Sequence, residues 1–488
     1  MAVMLIARSR VTRPMFQMMD LDRRTFLAIV AAAAACSESR AQPGPILRPE
    51  DFGAKGDGTT NDTPAFAALS AQVNRIGGGT IALRRGATYV VGRQTARGPY
   101  RLSPDPIIEL KALSEPLEIE GNGARLAAQP GLRFGSFDTS GGPLHRPMPN
   151  LHGEELAVPY QAMISIEDCR APVTIRDVEL DGNIQRLRIG GQYGDTGWQV
   201  PGTGVILRNN LSSETLINVL SHHHPQDGVM IDGSLNRSGR SSIQRLVSQF
   251  NGRQGVSLVA GRGYDFADCE FSFTGRSVIS SAPGAGVDIE AEKRPIRDLT
   301  FARCKFVDNH GPGLVADSGD SAGAEFSDCQ FVGTDIWSAW PNKPGFVFRG
   351  CTFAGAVVHP FASPDAALAT KFHDCRFVDD PALSPNGKLY LEAAGGPCVN
   401  MAVSDNVAFR RCTFDLRHQG MLPWSWKAIY ADCTMSQRRR EKAMPKGKYL
   451  GRTTIEGMVD LYGSMIVGTV ILNGTPVAKG PYGDIAPW

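Results

Sequence analysis

One pattern, Phe-x-x-Cys-x-Phe, recurs six times in this 488-residue chain and constrains its fold more than any other feature. Its cysteines stand 22 to 37 residues apart, at Cys269, Cys304, Cys329, Cys351, Cys375 and Cys412. A period in the twenties, lengthened in places by loops, is typical of a solenoid whose coils stack on one another. Each cysteine lies two positions before a phenylalanine, so both point into the coil from one strand. We therefore predict an internal ladder of free thiols that pack as small apolar side chains and do not bind metal.

A second repeat accompanies the first and indicates parallel strands. Five glycines open short apolar segments at intervals of 24 to 31 residues, namely Gly204, Gly228, Gly255, Gly286 and Gly313. Short strands without a helical period exclude an alternation of strands and helices. Because each coil returns to the same register, the strands lie parallel. The sequence thus predicts an all-β fold, a parallel β-helix, in which Val229 and Ile231 face inward and Met230 and Asp232 face outward.

The first 41 residues have the features of an export signal. Asp22-Arg-Arg-Thr-Phe-Leu27 resembles a twin-arginine signal, and Ala41 ends a cleavage site. The apolar run at 28–35 is shorter than the roughly 20 residues that span a bilayer, and no other segment is long enough. We expect a periplasmic or extracellular protein; lipid attachment at Cys36 is the alternative. Nine of the ten cysteines remain after cleavage, and an odd number argues against a complete disulfide framework.

The charge balance narrows the class of partner. The formal net charge is +2, whereas a nucleic-acid-binding domain carries a basic stripe. The one basic run, at 438–442, is short and is interpreted as a solvated loop. We therefore expect no nucleic-acid partner.

A segment near the N-terminus carries a family resemblance. Asp51-Phe-Gly-Ala-Lys-Gly-Asp-Gly-Thr-Thr-Asn-Asp62 precedes a helix predicted over 63–73, and Gly77-Gly-Gly-Thr-Ile81 then opens the first strand. This arrangement resembles the opening of the pectate-lyase-like superfamily, which includes rhamnogalacturonases, alginate epimerases and phage depolymerases. The resemblance implies a right-handed coil with a helical cap and a carbohydrate groove along one flank. We place the β-helix at 42–414 and an irregular segment with closing strands at 415–488.

The chain departs from the best-known catalytic patterns of that superfamily. It has no Trp-Ile-Asp-His run, as found in the best-studied pectate lyases. Gln226-Asp227-Gly228 only loosely echoes the first hydrolase motif, and Arg253 precedes a segment that lacks the expected histidine. Catalytic residues therefore cannot be carried over from the hydrolases, and the candidates must come from the chemistry of the residues themselves.

Acidic residues are predicted to line one outer face of the coil. Aligning the glycine repeat gives two outward files, Arg208, Asp232, Val259, Glu290, Asp317 and Ile206, Met230, Ser257, Asp288, Val315. Several carboxylates on one face are stable only with a cation or a shared proton. Two uses follow: a Ca²⁺ site at Asp288, Glu290 and Asp317, or an acid/base pair that joins Asp232 to Asp288 or Glu290. The alternative is a solvated polar face.

Histidines and arginines beside this face complete the candidate site. His222-His223-His224 precedes Asp227, and histidine suits general acid/base chemistry. Arg253 or Arg208 would bind a uronate carboxylate or act as the base, or else serve only as salt-bridge partners. The predicted catalytic residues are thus Asp227, Arg253, His222, His224, Asp288 and Glu290. The predicted substrate contacts are Arg208, Asp232, Tyr193, Trp198 and His310, with Tyr193 and Trp198 stacking on sugar rings.

These features together predict an exported, polysaccharide-active protein. We expect a lyase that cleaves an acidic polysaccharide by β-elimination. A glycoside hydrolase with paired carboxylates and a non-catalytic glycan-binding β-helix are the alternatives. Ca²⁺ is the one cofactor that the residues suggest. The sequence leaves the oligomeric state open between a monomer and a trimer.

Overall fold

A computed structural model describes residues 44–94, 105–138, 140–144, 156–191, 200–391, 396–401 and 403–483. The expected export signal, Tyr193 and Trp198 lie outside these residues. The described chain forms one helix, Thr63–Ile76, three short 3-10 turns at Pro49–Phe52, Ile184–Arg186 and Pro381–Leu383, and otherwise strands. None of the described helices is long and apolar enough to cross a membrane.

Three columns of parallel strands build the coil. The first column comprises Gly79–Ala82, the first halves of Leu117–Ala128, Val173–Asp181 and Glu214–His222, then Ser241–Gln244, the second half of Gln254–Ala267, Ile296–Ala302, Ser321–Ser327, Val347–Arg349, Lys371–His373, Ala408–Arg410, Ser425–Ala431, Pro445–Leu450 and Ser464–Ile466. The second column comprises Thr88–Val91, the second halves of those three long strands, then Val247–Gln249, Glu270–Ser272, Lys305–Asn309, Gln330–Gly333, Thr352–Ala354, Arg376–Val378, Thr413–Leu416, Thr434–Gln437, Arg452–Glu456 and Thr469–Leu472.

The third column carries the glycine repeat. It comprises Ile108–Lys111, Ala162–Glu167, Thr203–Arg208, Asp227–Asp232, the first half of Gln254–Ala267, Ala285–Ile289, Leu314–Ala316, Ala339–Pro341, Val357–Val358 and Val399–Asn400. The remaining strands are Ile46–Leu47 and Asp57–Asn61 at the N-terminal end, a small sheet of Arg133–Ser136, Leu156–Ala157 and Arg188–Gly190, and closing strands at Thr475–Val477 and Gly480–Tyr482. The predicted all-β parallel β-helix is confirmed.

The register of the third column confirms the inward rows and corrects one outward file. Val229 pairs with Val256, which pairs with Val287, and all three are fully buried. A bulge follows Ile231, so Asp232 pairs with Ala260. The predicted file through Asp232 and Val259 is therefore wrong, because one extra residue on the longer strand shifts the pairing.

Aromatic rings and thiols fill the interior as the first repeat predicts. Phe326 stacks on Phe348 with ring centroids 4.8 Å apart, and Phe348 stacks on Phe372 at 5.1 Å. All nine described cysteines are buried and unpaired. The Cys329 thiol donates to the Phe301 carbonyl oxygen at 3.4 Å, one coil away. The ladder has a seventh rung at Cys433, where tyrosine and methionine replace the two phenylalanines.

Parallel stacking extends beyond residue 414, where the sequence repeat fades. Phe409 stacks on Tyr430, and Tyr430 stacks on Tyr449, with centroids 5.3 and 5.2 Å apart. Among the described strands after residue 414, antiparallel pairing begins at the last two, Thr475–Val477 and Gly480–Tyr482. The aromatic column therefore continues through residues that the six-residue pattern does not include.

The N-terminal signature forms the predicted cap. The helix Thr63–Ile76 has proline in its first turn and buries Phe66, Leu69 and Val73. It ends at Gly77, whose φ of 87° lies in the left-handed region that favours glycine. The buried Asp62 carboxylate accepts backbone N–H groups of Lys55 and Gly56 at 2.6 and 3.0 Å. The residues of this segment thus stabilise the cap.

Candidate active site

Two of the predicted catalytic residues form a buried ion pair. Arg253 donates from Nε to Asp227 Oδ1 at 2.8 Å and from Nη2 to Oδ2 at 2.5 Å. Their side chains are 8% and 0% exposed, respectively. The pairing satisfies both charges beneath the surface. Neither group is placed to meet a polymer, so the salt-bridge alternative for Arg253 describes this geometry.

A small apolar layer outside the coil explains this burial. Seven buried side chains cluster there: Leu132, Phe134, Val158, Ile184, Leu187, Val200 and Ile279. The Ile279 side chain lies next to Gly252, where an added Cβ would approach it to 2.9 Å. This layer therefore covers an outer face that the strand pattern alone presents to solvent.

The carboxylates of the predicted acidic face differ in how deeply they are buried. Asp288 is 4% exposed and accepts Gln254 Nε2 at 2.5 Å, whereas Glu290 and Asp317 are exposed. Burial, and then the charge of Glu290, raise the pKa of Asp288 well above its ordinary value. Among the described residues these three carboxylates do not bring ligand atoms together on one point. The expected Ca²⁺ site is therefore not assembled, because Asp288 is buried against Gln254 while Glu290 and Asp317 are exposed.

The described substrate-contact candidates on this flank, Arg208, Asp232 and His310, take part in ion pairs. Arg208 contacts Glu167 at 3.0 Å and Asp232 at 3.4 Å. Arg294 also donates to Asp232. His310 is half-exposed and lies 3.6 Å from Asp335. These residues form surface ion pairs, and the acid/base pair expected between Asp232 and Asp288 has one half-buried and one buried member.

The three consecutive histidines have different environments. His222 ends the second-column strand, and His223 follows with a φ of 54° in the left-handed region. His224 is fully buried, with Nδ1 3.0 Å from the Tyr160 hydroxyl. Burial, and then the charge of His222, lower the pKa of His224 to about 3. His224 therefore does not reach a surface, and only His222 and His223 line a cleft.

That cleft is built by neighbouring strands of the second column. Asp181 pairs in register with His222 on the next strand. Two residues before Asp181, and so on the same face of the strand, Glu179 pairs in register with Arg125 on the preceding strand. The cleft has a volume of about 350 Å³ and is also lined by residues of the following turn, including Asn183, Gln185 and Arg186. We call the cleft lined by Arg125, Asp181, His222 and His223, together with Glu179 at its edge, the histidine cleft.

Contacts within the histidine cleft orient its side chains. His222 Nε2 lies 3.2 Å from Glu179 Oε1, and Arg125 Nε lies 3.1 Å from the same oxygen. Arg125 Nη2 donates to Asp181 Oδ2. The His222 hydrogen bond lowers the pKa of Glu179, although burial opposes it. Burial likewise opposes the hydrogen bond from Arg125, which keeps the pKa of Asp181 below its ordinary value.

His223 is held by aromatic stacking. Its ring stacks on Phe250 with centroids 5.0 Å apart, and Phe250 stacks on Phe273 at 4.8 Å. Both phenylalanines also have φ of 56°, so the same left-handed turn recurs on successive coils. Burial, then the charge of His222, lower the pKa of His223. A row of half-buried aromatic rings thus extends from His223 along the two following coils.

Metal-ligand types converge in the histidine cleft and nowhere else in the described chain. One ligand atom each from Asp181, His222 and His223 lies within 4.8 Å of the other two. Consecutive side chains ordinarily point apart, but the rings of His222 and His223 converge here. The left-handed turn at His223 swings its ring back towards His222. Of these residues, the histidines were predictable from the sequence by their residue type, whereas Arg125, Glu179 and Asp181 were not predicted.

The comparisons with known proteins concern the fold. No protein-family model and no curated protein matches this chain. The N-terminal fragment of bacteriophage phi29 gene product 12 aligns with 93% of this chain and 76% of its own length, at 13% identity and a TM-score of 0.51. The A-module of the mannuronan C-5 epimerase AlgE4 from Azotobacter vinelandii covers 91% of this chain and 100% of its own, at 14% identity and a TM-score of 0.42.

A phage tailspike gives a similar result. The tailspike protein of E. coli bacteriophage HK620, solved in complex with a pentasaccharide, covers 88% of this chain and 78% of its own length. The identity is 12% and the TM-score 0.46. At such identities a likeness bears on the fold alone, and the function must be argued from the site.

Proposed function

We propose that this protein acts on an acidic polysaccharide, as a lyase that cleaves it by β-elimination in the histidine cleft. One observation carries the proposal: Arg125, Asp181 and two imidazoles line one open cleft, and a second carboxylate, Glu179, contacts both Arg125 and His222 at its edge. Elsewhere on the predicted flank, Arg253 and Asp227 are buried against each other. The histidine cleft therefore replaces the acidic face as the favoured location of the chemistry.

β-Elimination places two demands on a site. The uronate carboxylate must be neutralised so that the proton on C5 becomes acidic, and a base must accept that proton. The C4–O bond then breaks, a C4=C5 double bond forms, and the departing oxygen takes up a proton. Arg125 and the exposed Arg186 are the cations that line the cleft, and arginine binds a carboxylate in a bidentate manner.

The Glu179–His222 pair is the proton acceptor in this proposal. The carboxylate and imidazole are 3.2 Å apart, within the reach that oriented acid/base groups need. Glu179 is the more accessible of the two cleft carboxylates, with a side chain 35% exposed against 5% for Asp181. The aromatic edges of Phe250 and Phe273 offer an apolar surface beside the histidines for a sugar ring.

The test is formation of unsaturated uronate ends, followed by ultraviolet absorbance, on a panel of uronate polysaccharides. We expect activity in the wild-type chain and in His373→Ala, which alters a histidine on the first column. Glu179→Gln and His222→Ala should lower the rate by about 100-fold or more, the contribution of a positioned acid or base. New reducing ends without unsaturation would move the assignment to a hydrolase.

Failure of both signals would leave glycan binding as the better function, which binding assays on the same panel would test. The location is likewise a proposal: the Arg23-Arg24 pattern supports export. Fractionation of the source cells would refute it if the protein remained in the cytoplasm.

A further inference from the structure

We propose that Asp181, His222 and His223 bind one divalent transition-metal ion, with Zn²⁺ as the representative case. The inference deepens the proposed function, and the ion's catalytic role rests on that function. The binding itself rests only on geometry. Two nitrogen ligands and one carboxylate are a set that favours Zn²⁺ and its first-row neighbours over Ca²⁺, which prefers six or more oxygens.

The spacing of the ligand atoms fits one ion. His222 Nδ1 lies 3.7 Å from Asp181 Oδ1 and 2.6 Å from His223 Nδ1. Zinc binds nitrogen and oxygen at about 2.0–2.2 Å, so two ligands of one ion stand about 3–3.5 Å apart. The carboxylate therefore closes by a few tenths of an ångström, and the imidazoles open by a similar amount. Two ring nitrogens that face each other repel unless a proton or a cation lies between them.

The surroundings orient the lone pairs towards that point. Glu179 lies 3.2 Å from His222 Nε2, so it accepts the Nε2 proton and leaves the Nδ1 lone pair free for an ion. The Gln185 amide nitrogen lies 3.1 Å from His223 Nε2, and rotating the amide by 180° places its oxygen there as the acceptor of an Nε2 proton. A carboxylate or amide behind a histidine is the usual support of a metal ligand.

Asp181 is fixed in the same way. Its Oδ1 accepts the backbone N–H of Asn183 at 2.7 Å, and its Oδ2 is held by Arg125. The group of Arg125, Glu179 and Asp181 carries one net negative charge, which suits a cation. Three protein ligands leave positions open towards the cleft. A uronate carboxylate bound there would be neutralised by the ion, and Glu179 would remain to accept the C5 proton.

The experiment is metal titration of the full, untagged chain after treatment with a chelator. Calorimetry should show one Zn²⁺ per chain and no comparable Ca²⁺ binding. Co²⁺ should give visible absorption typical of nitrogen ligation. Asp181→Asn and His223→Ala should weaken Zn²⁺ binding by more than the about 10- to 100-fold cost of losing a supporting partner. His373→Ala, which alters a histidine on the first column, is the matched control and should bind Zn²⁺ as the wild type does.

Absence of Zn²⁺ binding by the wild-type chain would overturn the inference, as would binding that both variants retain in full. If the variants misfold, the Co²⁺ spectrum of the wild type decides, because an all-oxygen spectrum also refutes the site. Metal binding without polysaccharide cleavage would sink the proposed function and leave the metal site standing. Cleavage by a wild-type chain that binds no metal would refute the metal site and leave the proposed function standing.

Discussion

Replacing Arg253 with methionine should destabilise the protein without touching its chemistry. The change keeps most of the side-chain volume and removes the charge that faces Asp227. Arg253 and Asp227 share hydrogen bonds of 2.8 and 2.5 Å, and their side chains are 8% and 0% exposed. After the substitution the carboxylate is left buried without its partner. Breaking such a pair costs about 3–5 kcal/mol.

The chain provides a matched control for this prediction. Arg411 and Asp374 make the same two-pronged contact, at 2.7 and 2.8 Å, but with side chains 59% and 51% exposed. Arg411→Met should therefore cost less than about 1 kcal/mol, because water replaces the lost partner. The double variant Arg253→Met, Asp227→Leu removes both buried charges and should recover most of the loss.

The free energy of unfolding, from urea denaturation followed by circular dichroism, measures all three variants. The activity of the fraction that remains folded should equal that of the wild type. If Arg253→Met cost no more than Arg411→Met and abolished activity, the buried pair would be catalytic and the reasoning from burial would fail.

Three further predictions follow from the interior. Phe348→Ala opens a gap in a stack with neighbours at 4.8 and 5.1 Å and should cost about 3–5 kcal/mol, measured by the same denaturation; a cost below 1 kcal/mol would contradict close packing. Asp288 has a raised pKa, so the folded state holds its proton more tightly than the unfolded state does, and stability is lost as pH rises above the ordinary value of 3.8. Asp288→Asn should thus be more stable than the wild type at pH 7 and not at pH 3, as thermal melts at both values would show. The nine described cysteines should resist a thiol reagent until denaturant is added, and early labelling of Cys329 would refute the ladder.

The fold could be predicted because its determinants repeat. The coils share the same small signals, a glycine at the bend and a cysteine two positions before a phenylalanine. An alignment error in one coil is therefore revealed by the next coil. The bulge after Ile231 has no such signal, since Gly255 to Ala260 aligns without a gap. The strand simply runs on from Gln254 to Ala267 around the corner of the coil.

The site was less predictable because it depends on parts that do not repeat. Asp227 and Arg253 lie in the expected turns, and their burial comes from a covering layer that includes Ile279. His222 was found from its residue type. Its partner Asp181 stands 41 residues earlier, and only the register of the second column brings the two together. Aligning Ser221-His222 with Leu180-Asp181 of the preceding coil is the signal that could have found the pair.

The thiol ladder also restricts when this chain can safely meet an oxidant. Cysteines in register on parallel strands keep their Cβ atoms about 4.8 Å apart, beyond the roughly 3.5–4.5 Å of a disulfide. The finished coil therefore resists cross-linking of neighbouring rungs. The unfolded chain has no such protection, and any pair trapped by oxidation would hold two coils out of register. The chain must therefore fold before it meets an oxidant. The cysteines that pack the interior thus make the order of folding and oxidation a condition for reaching the native state.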